Sequence, residues 1–513
     1  MRSSRLDAVR LAFVRVKLAQ SPSQIGITRR SGHELRFRES DPPSPRRIMP
    51  ELSAIQARLQ KYGQSHLLRW WDELSPAQQS SLLEQLDGLD LELVNRLFHQ
   101  KDSDEVSPAE RAALATPPAQ LVAQPKTVAE AEQWRQATAL GEEQLRQGCV
   151  GAILVAGGQG SRLGFDKPKG MYPIGPVTQR SLFQIFCEQL LAIARRTGKA
   201  IPYFIMTSDA THEDTVAFFH EHKFFGLNPQ DVYFFRQGKL PAVDDRTGQI
   251  LLAEKHEIAL SPDGHGGLLK ALRMAGLMEV MRERGIEILY SHQVDNPTAI
   301  VVDPAFIGLH LLHESDISTK VVNKVSAEEK MGVLVSIAGQ TQIIEYSDMP
   351  VARTRELEPD GSLRFRAGNT AMHVIRRGFL QELIDQGRDL PYHRAHKPVA
   401  YLDASGQRVQ PEPSAKNAYK FEQFIFDTLP MAQSALVVEA DRAREFNPVK
   451  NQSGADSPET SRAAICRINR EWLQAAGYQI ADDARIEVSP LLDTQSLQGL
   501  IPPGETISDG TVL

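Results

Sequence analysis

Three cationic side chains close behind a run of small residues make the first chemical statement of this chain. The segment Ile153-Leu-Val-Ala-Gly-Gly-Gln-Gly-Ser-Arg-Leu-Gly-Phe-Asp-Lys-Pro-Lys-Gly170 reads as a buried strand that empties into a glycine loop. Glycines at 157, 158 and 160 leave main-chain N–H groups open to phosphate oxygens. Arg162, Lys167 and Lys169 bring positive charge to any polyphosphate held there. The loop suits a nucleoside triphosphate. A Walker-type phosphate loop does not fit, because no Gly-Lys-Ser/Thr triplet follows. A dinucleotide fingerprint fits poorly: its third glycine falls at Gly164, one position late. Its ribose-binding acid would be near Glu188, inside a helical stretch rather than at a strand end.

A second candidate is Asp295, which closes a hydrophobic strand in Val294-Asp-Asn296. A lone carboxylate there is costly unless it holds a cation, the alternative being a turn or helix-cap aspartate. No convincing Ser-His-Asp set is present. The cysteines at 149, 187 and 466 lack metal-ligand spacing, so a zinc site is not expected. Their odd, sparse number fits a reducing compartment and a cytoplasmic protein.

Further motifs follow in order: Arg236-Gln-Gly-Lys-Leu-Pro241, Pro262-Asp-Gly-His-Gly-Gly-Leu268, Val294-Asp-Asn296, Ile344-Glu-Tyr-Ser347, Ala367-Gly-Asn369, Phe424-Ile-Phe426 and Phe446-Asn-Pro-Val-Lys-Asn451. With the glycine loop, extended to Met-Tyr-Pro-Ile-Gly175, this series resembles the eukaryotic-type UDP-sugar pyrophosphorylase family over about residues 50 to 470. Within it the chain is most similar to the UDP-N-acetylhexosamine pyrophosphorylases. The resemblance implies a uridylyltransferase that makes a UDP-sugar and pyrophosphate from UTP and a sugar 1-phosphate, with Mg²⁺ as cofactor. N-acetylglucosamine 1-phosphate is the first expected substrate; glucose 1-phosphate, or a broad range of sugars, is the second. In such a reaction the sugar phosphate, already anionic, attacks the α-phosphorus of UTP without a general base. The barrier lies in bringing two polyanions together and stabilising the leaving group, which calls for cations and amide dipoles.

Carried over residue by residue, the resemblance assigns Arg162, Lys169 and Lys450 to the phosphates and Asp295 to Mg²⁺. Val155, Ala156, Gly157 and Gly158 would hold the nucleotide, and Gln237 and Gly264 would read the uracil edge. The amide of Gln237 both donates and accepts, as that edge requires. Glu345, Tyr346, Gly368, Asn369, Phe424 and Phe426 would line the sugar, the two phenylalanines bordering an N-acetyl group. On pattern alone, Phe-x-Phe reads as a strand facing a core. His265 departs from the hexosamine enzymes, which place Asn there, and matches the glucose enzymes. Lys167 matches no constant lysine and is read as a surface charge.

Positioning these groups requires an α/β core. From residue 148 short β-branched runs alternate with amphipathic stretches: strands at 152–155, 203–206, 232–235 and 286–290, helices at 181–196, 211–222 and 267–284. That alternation predicts a mostly parallel sheet with helices on both faces, and the resemblance implies a Rossmann-like, glycosyltransferase-A-like nucleotidyltransferase core. The expected division is a basic segment over 1–48 (a disordered tail or a misassigned start), a helical unit over 49–147, a catalytic domain over 148–450 and a small β-rich C-terminal unit over 451–513. A net charge of -6 gives no general attraction to nucleic acid, and no apolar run is long enough for a membrane span. The expected partners are therefore UTP or UDP-sugar, sugar 1-phosphate and pyrophosphate, on a monomer or weak homo-oligomer. Two rival readings are an NAD(P)-dependent oxidoreductase and a non-catalytic UDP-sugar-binding regulator.

Overall fold

β-Branched and aromatic runs assemble into one ten-stranded sheet in the computed structural model. The structure describes residues 51–99, 108–492, 494–497, 500–501 and 506–513; the expected tail or misassigned start over 1–48 lies outside them. The principal strands are β1 (Leu121–Val122), β2 (Val150–Val155), β3 (Tyr203–Thr207), β4 (Val232–Arg236), β5 (Ile288–Gln293), β6 (Ile317–Asn323), β7 (Ala367–Arg376) and β8 (Ala435–Glu439). They lie side by side in the order β1-β8-β6-β7-β5-β2-β3-β4, and the hairpin of Val333–Ile337 with Gln340–Ile344 joins beside β7. All pairings along that path are parallel except the two made by β7, which runs antiparallel to both β5 and β6. The sheet is thus mostly parallel, as the alternation predicts.

Helices cover the sheet. The N-terminal helices are α1 (Leu52–Lys61), α2 (Pro76–Asp87) and α3 (Leu91–His99); α4 (Val128–Gln147), α5 (Leu182–Thr197), α6 (His212–Glu221), α7 (Leu268–Met274), α8 (Leu277–Glu283), α9 (Pro304–Leu312) and α10 (Pro458–Ala475) follow. Ser75 and Pro76 start α2 with a capping box, the Ser75 hydroxyl accepting from Gln78 N. The single helix expected over 267–284 is instead two, α7 and α8. Gly276 adopts φ 68° between them, a left-handed conformation that ends one helix before the next begins. The strand expected at 286–290 sits further along, at 288–293, because Gly285 and Ile286 complete the turn out of α8.

Leu121–Val122 and Val128–Gln147 precede the boundary expected at residue 148, yet both pack into the sheet core. Helix α4 lies so close to α9 that Gly308 could not carry a side chain: its Cβ would stand 1.7 Å from the Ala137 carbonyl oxygen. Gly308→Ala is therefore expected to cost about 1–3 kcal/mol of stability through backbone displacement. A drop of several degrees in the thermal midpoint measures it; an unchanged midpoint would show that the two helices part freely.

Helices α1 to α3 and the 3-10 turn Ser65–Leu68 bury Leu59, Leu67, Leu82, Leu86 and Val94 against Val243, Ile250, Leu252 and Phe421. The side chain of Gln64 pins this contact, donating to Gly248 O at 3.1 Å and accepting from Ile250 N at 2.9 Å. Trp70 and Trp71 pack on the same cluster. A small sheet of Val243–Asp244, Ala418–Glu422 and His393–Lys397 stands beyond, and its central strand leads into Gln423–Phe426. After α10 the described residues form two pairs of two-residue parallel strands, Gln479–Ile480 with Thr506–Ile507 and Ile486–Glu487 with Thr511–Val512.

Candidate active site

The chain winds from β2 to β3 and β4 on one side of the sheet, then returns to β5 on the other. The order of strands reverses at β2, and ligands of such sheets bind in the crevice at the carboxyl ends beside that reversal. Parallel pairing sets Gln293 opposite Val155, and Val294 N donates to Val155 O at 3.1 Å. The glycine loop after Val155 and the carboxylate of Asp295 therefore leave adjacent strands side by side.

The loop doubles back on itself. Gly160 N donates to Lys167 O at 2.9 Å and Lys169 N to Gly158 O at 3.1 Å, which returns Lys169 to the glycines. Arg162 is exposed on a single turn, and Lys167 is exposed too, as expected of a surface charge. Burial lowers the Lys169 pKa below the usual lysine range; Asp295 opposes that shift, while Arg162 and Lys450 add to it. These four charged groups, drawn from three distant stretches of chain, thus share one electrostatic site. The carboxylate of Asp295 makes no salt bridge among the described residues. Lys450 arrives on the loop after β8: Val449 N donates to Asp295 O at 2.7 Å, and the Lys450 ammonium lies 5.4 Å from the Phe446 ring centroid.

Next to the glycines stands Gln237. Its Oε1 lies 2.5 Å from where a Cβ on Gly157 would be, so any side chain at 157 would displace the amide. Ser208, which the sequence reading passed over, steadies this contact by donating to Gly157 O at 2.8 Å. Gly264 has φ 84° and ψ 169°, a region open almost only to glycine, with Gln423 O 2.3 Å from a would-be Cβ. Asp263 is a second residue not singled out, although it lies inside a motif that was. It is buried, its Oδ1 has no partner among the described residues, and burial raises its pKa to about 6 against the pull of Lys270.

His265 meets two stacked rings. Phe424 and Phe426 lie 4.9 Å apart at 21°, and the His265 ring is 5.3 Å and 5.6 Å from them. The strand expected of Phe-x-Phe is not formed: Phe424 ends an extended segment and Phe426 lies in a 3-10 turn over Ile425–Met431, which turns both rings to the same side. Ile425 N donates to His265 Nδ1 at 3.1 Å, leaving the ring proton on Nε2. Burial drives the His265 pKa down to about 4, so the ring is neutral at physiological pH. His393 extends the aromatic wall, 4.8 Å from Phe424, and is tied to Asp427 by a 2.8 Å contact. This pair is separated by 34 residues, and no local pattern announces it.

Glu345 and Asn369 meet at Gly332. Glu345 Oε1 lies 2.9 Å from a would-be Cβ there, and Asn369 N donates to Gly332 O at 2.9 Å. Burial raises the Glu345 pKa, with Asp348 and Asp427 adding and His393 opposing, which sets Glu345 in the field of the aromatic wall. Gly368 faces Met331, whose sulfur stands 2.1 Å from a would-be Cβ. Tyr346 is 48% exposed.

Together, the sheet order, the glycine loop and the carboxylate facing it define a nucleotidyltransferase, and the solved structures agree. A UDP-N-acetylglucosamine pyrophosphorylase of Entamoeba histolytica, itself described as putative, superposes with a TM-score of 0.69 at 33% identity, covering 76% of this chain and 99% of that one. The chain belongs to the UTP–glucose-1-phosphate uridylyltransferase family, which it matches over residues 91–465. Among individual relatives, UDP-N-acetylglucosamine pyrophosphorylase of Saccharomyces cerevisiae is 37% identical over 458 residues, 84% of this chain and 93% of that protein. UDP-N-acetylhexosamine pyrophosphorylase-like protein 1 of Homo sapiens is 36% identical over 447 residues, 83% and 86% respectively. The chain is accordingly a nucleotidyltransferase enzyme of the uridylyl-transferring class. The oxidoreductase reading falls with that result. Glu188, its supposed ribose ligand, lies within α5, bound to Arg180 at 3.3 Å. No helix among the described residues is long and apolar enough to cross a membrane.

Proposed function

We propose that this enzyme transfers the uridylyl group of UTP to N-acetylglucosamine 1-phosphate, releasing pyrophosphate, with glucose or galactose 1-phosphate as the next substrates. The convergence of Arg162, Lys169, Asp295 and Lys450 beside the glycine loop carries this reading. Val155, Ala156, Gly157 and Gly158 hold the nucleotide, while Gln237 and the open backbone at Gly264 take the uracil edge. Lys169 and Lys450 orient the sugar phosphate and the α-phosphate, and Arg162 faces the departing pyrophosphate. The attacking oxygen forms its bond to the α-phosphorus as the bond to the β-phosphate oxygen breaks, and the leaving charge falls on these cations. A binding-only regulator has little use for such a set.

The donor set fits Mg²⁺. Mg²⁺ takes hard oxygen ligands and is commonly held by one or two carboxylates together with substrate phosphates, which a single carboxylate in the electrostatic reach of Lys169 could supply. Asp295 would hold it, and the ion would supply charge neutralisation between the two phosphates. Asp456, whose carboxyl feels both Lys450 and Asp295, lies near enough to bias the site.

For the sugar, Glu345 and Asn369 meet hydroxyls, Gly368 lets them approach, Tyr346 closes over the rim, and Phe424 with Phe426 flank the N-acetyl methyl. Neutral His265 offers Nε2–H to the sugar or its phosphate. The enzyme works in the cytoplasm as a monomer or weak homo-oligomer, a setting that the free thiols Cys149, Cys187 and Cys466 suit. Residues 148–450 act as the catalytic domain, the flanking units as its supports.

Pyrophosphate release from UTP, Mg²⁺ and the 1-phosphates of N-acetylglucosamine, N-acetylgalactosamine, glucose and galactose tests the reading. Preference for the N-acetyl sugars supports it; preference for glucose makes His265 the better guide and reduces Phe424 and Phe426 to packing. No release from any of them would move the protein to the regulatory role. His265→Asn is expected to raise the preference for N-acetylglucosamine 1-phosphate over glucose 1-phosphate about tenfold in kcat/KM, the scale of one pocket contact. An unchanged ratio would remove His265 from the choice of sugar.

A further inference from the structure

Lys320 is 2% exposed, on β6 in the middle of the sheet, and no role at the site has been assigned to it. Its ammonium meets Asp303 Oδ2 at 2.6 Å and the carboxylate of Glu445. Burial alone would neutralise this lysine, but the two carboxylates outweigh it and hold its pKa above the usual range. Two carboxylates and one ammonium in a dry core are an expensive arrangement, more so than apolar residues of the same volume. What they hold in place is therefore informative.

Asp303 caps α9, accepting from Ala305 N at 3.0 Å, and ends the loop that begins at Asp295. Glu445 ends the short turn from which Phe446–Lys450 departs. Between these two loops stands Asn296. Its amide donates to Glu445 O at 2.7 Å and accepts from Asn447 N at 3.1 Å, and two residues further Val449 N reaches Asp295 O. The Asn447 amide adds a bond to Thr298 Oγ1 at 2.9 Å. Lys320 thus ties down both loops from beneath, and Asn296 laces them above it.

We propose that Lys320, Asp303, Glu445 and Asn296 form a clamp that sets the spacing between Asp295 and Lys450, and that Lys320 and Glu445 are positioning residues for uridylyl transfer. The inference rests on the reading of Asp295 and Lys450 given above. A misplacement of a phosphate-binding lysine by about 1 Å is enough to cost up to about a hundredfold in rate. The loss should fall on kcat, since the hydrogen bonds and ion pairs of the clamp's side chains among the described residues reach neither the glycine loop nor Gln237, which bind the nucleotide.

A double-mutant cycle separates positioning from mere stability. Glu445→Gln leaves Lys320 and Asp303 as a neutral pair, so the core stays balanced. In the otherwise unaltered enzyme it is expected to lower kcat about tenfold with KM for UTP within about twofold. In a Lys450→Met background, where there is no ammonium left to place, the same change should lower kcat less than about twofold. Equal losses in both backgrounds, or full kcat in Glu445→Gln, would overturn the clamp while leaving the uridylyltransferase reading intact. If Glu445→Gln yields no folded protein by its thermal transition, Asn296→Ala asks the same question through the same cycle, with the same outcomes. Lys450→Met with undiminished turnover would instead overturn the role given to Lys450, and the clamp with it. Absence of pyrophosphate release from the unmodified enzyme would overturn both.

Discussion

Replacing Lys169 by methionine is expected to lower kcat about 10²–10³-fold, the scale seen when one preorganised charge-stabilising donor is removed from a water-poor site. Methionine keeps most of the side-chain volume, so the loop should hold its shape. The main-chain bond from Lys169 N to Gly158 O at 3.1 Å survives the change, as does the close packing of Gly170 on the Phe183 ring. What disappears is a partly buried ammonium held among Asp295, Arg162 and Lys450. Arginine should rescue little. Its planar fork needs more room than a point charge and spreads its positive charge over a wider area. Steady-state pyrophosphate release with UTP and the preferred sugar phosphate measures the effect. A variant that keeps more than about a tenth of the turnover would show that Lys169 merely lies near the phosphates.

Asp295→Asn is the second large effect. The amide keeps shape but supplies neither the negative charge nor the anionic oxygen that a hard divalent cation requires. Turnover should fall about 10³-fold at ordinary Mg²⁺, with partial recovery as the metal is raised. A companion consequence concerns Lys169. The Asp295 carboxylate is the attraction that opposes its burial, so the variant should push the Lys169 pKa lower still. The rising limb of activity with pH is unaffected by this shift. The falling limb, on which a neutral lysine is formed, should move to lower pH, because a lowered pKa loses the ammonium earlier as pH rises. A Mg²⁺ titration of turnover, repeated across pH, reads both effects. Identical Mg²⁺ dependence in the variant would take Asp295 out of metal binding.

The chain carried its chemistry in short, local form. The glycine loop, Arg-Gln-Gly, Asp-Gly-His-Gly-Gly and Val-Asp-Asn each lie within a window of a few residues, so they could be named as candidates, the last three chiefly through the family resemblance. Gly264 is an example: a φ of 84° that admits glycine almost alone leaves its mark at a single position. Strand and helix identities were also legible from apolar periodicity, with errors where a turn intervenes. Gly276 split one expected helix into α7 and α8, and a 3-10 turn replaced the strand expected of Phe424 and Phe426. An alternating pattern reports which residues are apolar, and it does not report how the backbone ends.

Partnerships across the chain were not legible. Lys320 looked like any lysine in a β-branched run, and only packing shows that Asp303 and Glu445 surround it. His393 and Asp427 met through the pairing of two strands in the small sheet and the turn that follows. The antiparallel entry of β7 between β5 and β6 had no counterpart in the sequence, since pairing direction is decided by the route of the chain.

The sequence by itself therefore determined the class of enzyme and proposed the residues of its site. Those depend on residue types at fixed local spacing, which a nucleotide's phosphates and base demand directly. Only the tertiary structure decided the site's geometry: the reversal of strand order at β2, the register that sets Val155 beside Gln293, and the hydrogen bond that brings Val449, and with it Lys450, to Asp295. Such contacts join residues far apart in the chain. They form only when buried surface and paired backbone groups across the whole sheet outweigh the entropy of closing the loops between them.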